Sequence, residues 1–358
     1  LLAAPARVEA GQPEERADYE SAVVEQVLSD STEKDPAADN GYRGEQLLLV
    51  TVKSGDYQGQ QMQVYNYVGP LYGGPLHAGD RATILISSYS DGTVNATVYE
   101  FDRLIPLAIV VALFIAAAVI VGGRTGAKSL VALAVTLMCL FGVLLPALMK
   151  GANTLLMTFI VCAYVAVVSL TIVGGVQKKS VCAMLGAVAG TALALLFGLL
   201  AQALTRVDGL RIEDVEPLLQ LRQTGTPIGL RGLLVGGIII SALGAVMDVT
   251  MGIASSLAEV HAANPQLSRR ELFRSGMNIG RDMVGTMTNT LILAFLGSGF
   301  TLILYLYSLG LSFRQLMSSA YVSMEVVSGI ASSVGVILSI PLTALITAAV
   351  FTREKQQS

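Results

Sequence analysis

After Leu104 the chain is a succession of apolar runs, each near the roughly 20 residues that a helix needs to cross the hydrocarbon of a bilayer. Seven can be marked, at 104–122, 130–149, 152–174, 180–204, 232–256, 288–311 and 321–350. A helix that is apolar all round must be covered by protein or by lipid. Charged residues make up 14% of the chain, against about 25% in soluble domains, and mean hydropathy is +0.64. The expected fold class is therefore an α-helical polytopic membrane bundle over residues 101–358, with the lipid bilayer as its principal partner.

The chain ahead of it has a different pattern. Residues 20–100 alternate in the strand manner in five segments, AVVEQVL, EQLLLVTVK, QQMQVYNYV, RATILISS and TVNATVYE, with period-2 side chains and turn signals between them. Five short strands predict a small N-terminal β-domain, a barrel or sandwich of the OB or SH3-like kind. Asp30 to Tyr42 reads as a polar loop, and His77 as a loop histidine without a partner. Nothing in this domain looks catalytic, and it reads as an accessory domain. Residues 1–19 form a separate N-terminal segment, in which Leu1 to Ala6 reads as the tail of an upstream signal or span.

Basic residues orient the spans. With the β-domain outside, the inner connectors hold Arg124, Lys128, Lys178, Lys179, Arg269, Arg270, Arg274, Arg281, Arg353 and Lys355, and the outer ones Lys150, Arg206, Arg211, Arg222, Arg231 and Arg314. That excess has the sense of the positive-inside rule. It predicts an extracytoplasmic β-domain and a cytoplasmic C-terminus. The net charge of −3 and the lack of a basic stripe leave no case for nucleic acid. Cys139, Cys162 and Cys182 fall inside expected spans without ligand spacing, and read as small apolar residues. No zinc or haem ligand set exists, and no cofactor is expected.

Charge inside the apolar runs is the chemistry-bearing feature. Asp248, Gly252, Ser255 and Glu259 are spaced i, i+4, i+7, i+11 and share one helix face; Asn278, Asp282, Gly285 and Asn289 repeat that spacing on the next element. Two such faces can meet as antiparallel neighbours, with Arg281 available to pair a carboxylate and glycines permitting close approach. A carboxylate in hydrocarbon costs about 2.5–3.5 kcal/mol on insertion scales, so it normally pairs or faces water. Residues 264–282 read as an interfacial amphipathic helix near the inner boundary, capped by Ser268 with Glu271 three residues on. The last span begins at Glu325 and carries Gly329, Ser332, Ser333, Gly335 and Pro341; so many breakers predict a broken or re-entrant segment. NTLLMTFI (153–160) resembles NTLILAFL (289–296), which would make spans two to four and five to seven an inverted pair.

SALGAVMDVTMGIASS (241–256), NPQLSRRELFRSGMNIGRDMVGTMTNTLILAFLG (264–297) and IPLTALI (340–346) resemble the YibE/F family. The resemblance implies a bacterial, multi-pass cell-membrane protein with an outward β-domain, and it implies no settled activity. One departure is visible: a basic residue is expected shortly after the glutamate of the last span, where this chain reads Glu325-Val-Val-Ser328. A fainter similarity to the resistance-nodulation-division and MMPL-type permeases, in the order of Asp248, Arg269–Arg274 and Gly280–Thr290, implies coupling to a proton gradient, by analogy of pattern alone.

These features favour a permease or secondary transporter of a small ion or solute. Its route would be lined by Asp248, Gly252, Ser255, Glu259, Asn278, Arg281, Asp282, Asn289 and Glu325. The alternative is a non-transporting membrane scaffold or sensor whose β-domain binds a partner. A passive channel lacks a recognisable filter. An enzyme is not expected: no GxGD sequence accompanies the aspartates, and His261 lies in a connector beside Glu259 with no nucleophile. Glycine-rich faces at Gly186, Gly190 and Gly198 suit packing within the chain or in a homo-oligomer.

Overall fold

The computed structural model describes residues 14–35, 41–70, 72–89, 92–207 and 232–352, with single positions 219, 225 and 227. The chain divides into two compact units between Ala116 and Ala117. The basic residues Arg211, Arg222, Arg231, Arg353 and Lys355 lie outside the described residues.

In the first unit the strands are β1 (Glu14–Asp30), β2 (Glu33–Lys34), β3 (Tyr42–Val52), β4 (Gln61–Val68), β5 (Arg81–Tyr89) and β6 (Val94–Phe101). β1 starts at Glu14, before the expected boundary at residue 20. The long β1 has three register shifts along it, two against β3 and one against β5, and pairs with both strands. The sheet therefore closes on itself in the order β1-β3-β4-β6-β5-β1, with β4 and β6 parallel at Tyr65–Thr97 and the other pairs antiparallel. That circuit is the OB-type barrel of the two kinds anticipated. Inward positions such as Leu48, Val50, Val52, Val64, Ile84 and Ile86 alternate with outward ones and fill the interior.

One buried polar group sits at the barrel's end. Gln46 Oε1 accepts from Asn66 Nδ2 and from the Leu76 backbone N–H, each at 2.9 Å, and its Nε2 donates to Asp30 Oδ2 at 2.9 Å. The Thr32 hydroxyl and backbone N–H also donate to Asp30, and these three contacts hold its carboxyl below the usual range. His77 is not without a neighbour: its Nδ1 lies 3.6 Å from Asp80 Oδ2.

The helices are α1 (Leu104–Cys139), a π-turn (Leu140–Leu144) running into α2 (Leu145–Met149), α3 (Thr154–Gly174), α4 (Lys178–Thr205), α5 (Leu233–Ala263), α6 (Arg269–Ser298), α7 (Phe300–Ser308), α8 (Phe313–Ser318) and α9 (Ala320–Thr352). Leu104–Met149 is continuous in assignment at 46 residues, about 69 Å if straight and over twice a hydrocarbon core. It is not straight. Gly123 adopts φ 54°, ψ −133°, and a Cβ placed on Gly126 would overlap the carbonyl oxygen of Ala118. Those residues would stand about 12 Å apart along an unbroken helix, so the chain turns back sharply between the first two expected spans. Among the described residues five helices are long and apolar enough to cross a membrane, or six with the bent pair α6–α7; the first of these covers two of the seven runs.

Helix directions follow from close glycine contacts. Gly232 faces Leu155 and Gly236 faces Thr158, so α5 runs parallel to α3. Gly198 meets Val235 and Ile238 while Gly190 meets Val246, so α4 is antiparallel to α5. Gly186, Gly190 and Gly335 meet Thr343, Ser339 and Ala194 in turn, so α4 is also antiparallel to α9. The centre of the bundle is thus α4, α5 and α9, with α3 and α6 against them. These seams use small residues to bring backbones close, as helices do where lipid rather than water surrounds them.

The last expected span is corrected here. α9 is one continuous helix of 33 residues with Pro341 inside it, not a broken or re-entrant segment. Its apparent breakers are contact residues. Gly335 abuts Ala194; Ser333, Ser339 and Thr343 return their hydroxyls to backbone carbonyls of their own helix; Ser332 meets the Ser241 hydroxyl at 3.0 Å. The break lies one span earlier, at Gly299, where α6 and α7 meet at a 62° bend.

Candidate functional site: a polar face half-way along the bundle

Ser268 caps α6 as its sequence predicts, accepting from the Glu271 N–H at 3.3 Å while Glu271 Oε2 accepts from the Ser268 N–H at 2.8 Å. The helix it starts runs past the expected end at residue 282. α6 continues unbroken for 30 residues, and its early part already packs in the bundle: Gly276 faces Ala344 and Leu257, and Gly280 faces Ile340 and Ile253. Leu272, Gly276 and Gly280 form its buried side, because only residues without bulk fit against α9 there.

That packing places the charges. Asp248 is the sixteenth of the 31 residues of α5, its midpoint. Arg281 and Asp282 follow Gly280 directly, so they stand within about 3 Å of the level of Ile340, well inside α9. Met283 Cε lies 3.0 Å from the Cβ position of Gly252, one turn from Asp248. Asp248 and Asp282 therefore lie many residues from the ends of their helices, and Arg281 lies within α6 and not in a connector.

The two stripes run antiparallel, as expected, but do not face one another. Asn278, Asp282, Gly285 and Asn289 are all exposed, roughly half a turn round α6 from Gly276 and Gly280 at 3.6 residues per turn. Gly252 of the Asp248 stripe meets Met283 of α6. Asp248 and Glu259 are exposed, Ser255 half-buried. Arg281 pairs with no carboxylate among the described residues; its Nη1 donates to Asn278 Oδ1 at 3.2 Å. Asp248, Glu259, Asp282 and Asn289 have no side-chain hydrogen bond or ion pair among the described residues. The physical reason is spacing: a glycine side at i, i+4 takes the bundle contact, and the polar side is left opposite.

Glu325 stands apart from these. It is half-buried near the start of α9, and its Oε1 accepts from Ser298 Oγ at 3.1 Å. With Phe295, Ile303, Met317, Tyr321 and Gly329 it lines an apolar cavity of about 360 Å³ at the bend. Sequence reading missed Ser298 and the bend; the Gly297-Ser298-Gly299 triplet was the available signal. His261 lies in the last turn of α5, edge-on to Phe351 at 5.7 Å, not in a connector. No cluster of three metal-ligating side chains occurs among the described residues.

A closed β-barrel followed by long apolar helices packed through glycine seams is the architecture of a membrane-embedded protein. The YibE/F-like protein family model matches residues 110–353, and the chain belongs to that family. No curated protein matches it. No solved structure matches it either.

Proposed function

We propose that the protein is a membrane permease in which a small ion or solute moves along the polar face of α5, with Asp248 as the coupling carboxylate. The observation that carries this reading is the placement of unpaired, exposed charge half-way along helices whose other faces are apolar. Ionisable side chains at such depth face a water-filled path or a partner charge and mark ion and substrate routes. A second feature agrees. The bend at Gly299 sets Glu325 beside a cavity within the range of about 300–1,000 Å³ typical of ligand sites, and transporters place substrate sites at interrupted helices. In this reading Glu325 and Ser298 seat the solute and Asp248 takes and releases the proton or cation. The protein resides in the bacterial cell membrane with its β-barrel outside.

The test is ion flux in sealed proteoliposomes under an imposed pH gradient, comparing the native chain with Asp248→Asn. Proton or cation movement that the substitution abolishes is the expected result. Flux of equal size in both, or none in the native protein when reconstitution is verified, overturns coupling through Asp248. Either result moves the polar face to a structural role, that of the scaffold reading.

A further inference from the structure

The exposed side of α6 raises a question that transport alone does not answer. Asn278, Arg281, Asp282, Thr286, Asn289 and Thr290 run along it, all exposed, beside the apolar interior lengths of α5 and α9. In a bilayer this strip cannot face hydrocarbon, and the described part of the chain does not cover it. Thr286 and Thr290 satisfy their own hydroxyls on backbone carbonyls of Met283 and Thr286. Arg281 and Asp282 find no ion pair among the described residues.

We infer that this face of α6 is the contact between two copies of the chain, joined by reciprocal Arg281–Asp282 ion pairs. Both signs of charge sit on the same patch, as a self-complementary two-fold contact requires. Copies in one membrane share their orientation, so a two-fold axis along the membrane normal brings equal depths together. Arg281 and Asp282 differ in depth by about 1.5 Å, so each arginine arrives level with the other copy's aspartate. Gly285, with nothing within 4 Å of its Cβ position, lets the two α6 helices approach closely. Asn278 and Asn289 then meet their counterparts on either side of the ion pairs. This contact goes beyond the permease reading and does not depend on it.

The experiment measures the mass of the full chain in lipid nanodiscs by light scattering, with flux recorded separately. The native protein is expected as a dimer. Arg281→Asp alone and Asp282→Arg alone each put like charges in register and are expected to raise the dissociation constant roughly tenfold or more. An equimolar mixture of these two variants, one copy doubly acidic and the other doubly basic at the patch, is expected to form the mixed dimer. The swapped double variant Arg281→Asp/Asp282→Arg is expected to dimerise again, which shows that the substitutions are tolerated by the fold. A monomeric native chain, dimers that survive both single reversals, or failure of both the mixture and the swap to recover the dimer overturns the assignment. A monomer with Asp248-dependent flux would leave the proposed transport standing while removing this contact.

Discussion

Replacing Gly335 by alanine tests the seam on which the bundle's architecture rests. An added Cβ would lie 2.6 Å from the Cβ and 3.3 Å from the Cα of Ala194 on α4. Carbon atoms prefer about 3.5–4.0 Å, so α4 and α9 would have to part by close to 1 Å. Neither contact atom can swing aside, since both are fixed to the backbone. The parting would also loosen the Gly190–Ser339 and Gly186–Thr343 contacts along the same seam. Overpacking of this kind costs about 1–3 kcal/mol, and with rigid neighbours the upper half applies. Glycine-to-alanine in a helix interior returns about 1 kcal/mol, which leaves a net loss of about 1–2 kcal/mol. At about 2–4 °C per kcal/mol for a unit of this size, the midpoint of thermal unfolding in detergent should fall by roughly 2–8 °C. The control is Gly237→Ala on the exposed side of α5, where nothing lies within 4 Å of the Cβ position; it should be neutral or stabilising by up to about 1 kcal/mol. A Gly335→Ala protein as stable as the native one, with the control behaving as stated, would refute the close α4–α9 packing.

Other outcomes follow from the barrel and the polar face. Gln46→Leu strands the buried Leu76 N–H and leaves the Asn66 amide only its 3.3 Å bond to the Gly74 carbonyl, so loss of the barrel's stability by about 1–3 kcal/mol is expected, read by hydrogen exchange of β3 and β4. Asp30 is held below its usual value of 3.8 by Thr32 and then Gln46. Its contribution is therefore complete above that value and declines as pH falls through the lower folded one. Exchange protection of β1 and β3 should accordingly be flat from neutral pH to about 5 and fall below 4, and Asp30→Asn should flatten that fall. Asp248→Asn should abolish gradient-driven flux while leaving the unfolding midpoint unchanged or raised, because it removes an unpaired charge. Single charge reversals at Arg281 or Asp282 should weaken self-association, and the double swap should restore it.

Periodicity made the five barrel strands and most helix bodies readable, because alternation and apolar runs are local properties of the chain. The Ser268–Glu271 capping box was readable for the same reason. The break at Gly123 falls in the expected connector between the first two runs, but the break assigned to the last span was misplaced because glycine has two uses that sequence does not separate. Gly335 and Gly329 lie within a continuous helix and accommodate Ala194 and Phe295, whereas Gly299 ends one helical direction and begins another. The spacing of the two stripes was legible, but not their facing. Which side of α6 turns inward depends on where Ile340 and Ala344 of α9 fall, some sixty residues later. Neither the stripe's own spacing nor its composition carries that information.

The depth of the charges limits what the single chain can be. Asp248, Arg281 and Asp282, each exposed to hydrocarbon, would cost about 2.5–3.5 kcal/mol apiece on insertion scales, roughly 8–10 kcal/mol together. That is comparable to the whole net stability of about 5–15 kcal/mol that folded proteins hold. Snorkelling relieves charges near helix ends, but Asp248 is fifteen residues from either end of α5 and an aspartate has one methylene. Water reaching Asp248, or a second copy reaching Arg281 and Asp282, removes the cost in different ways that need not exclude each other. A polar path behind Asp248 relieves one charge and leaves two on the outer side of α6, whereas a two-fold contact there neutralises both and leaves Asp248 free to titrate. On the two proposals together the stripes divide by their facing: the α5 charge serves the transport route, and the α6 charges serve the contact between copies.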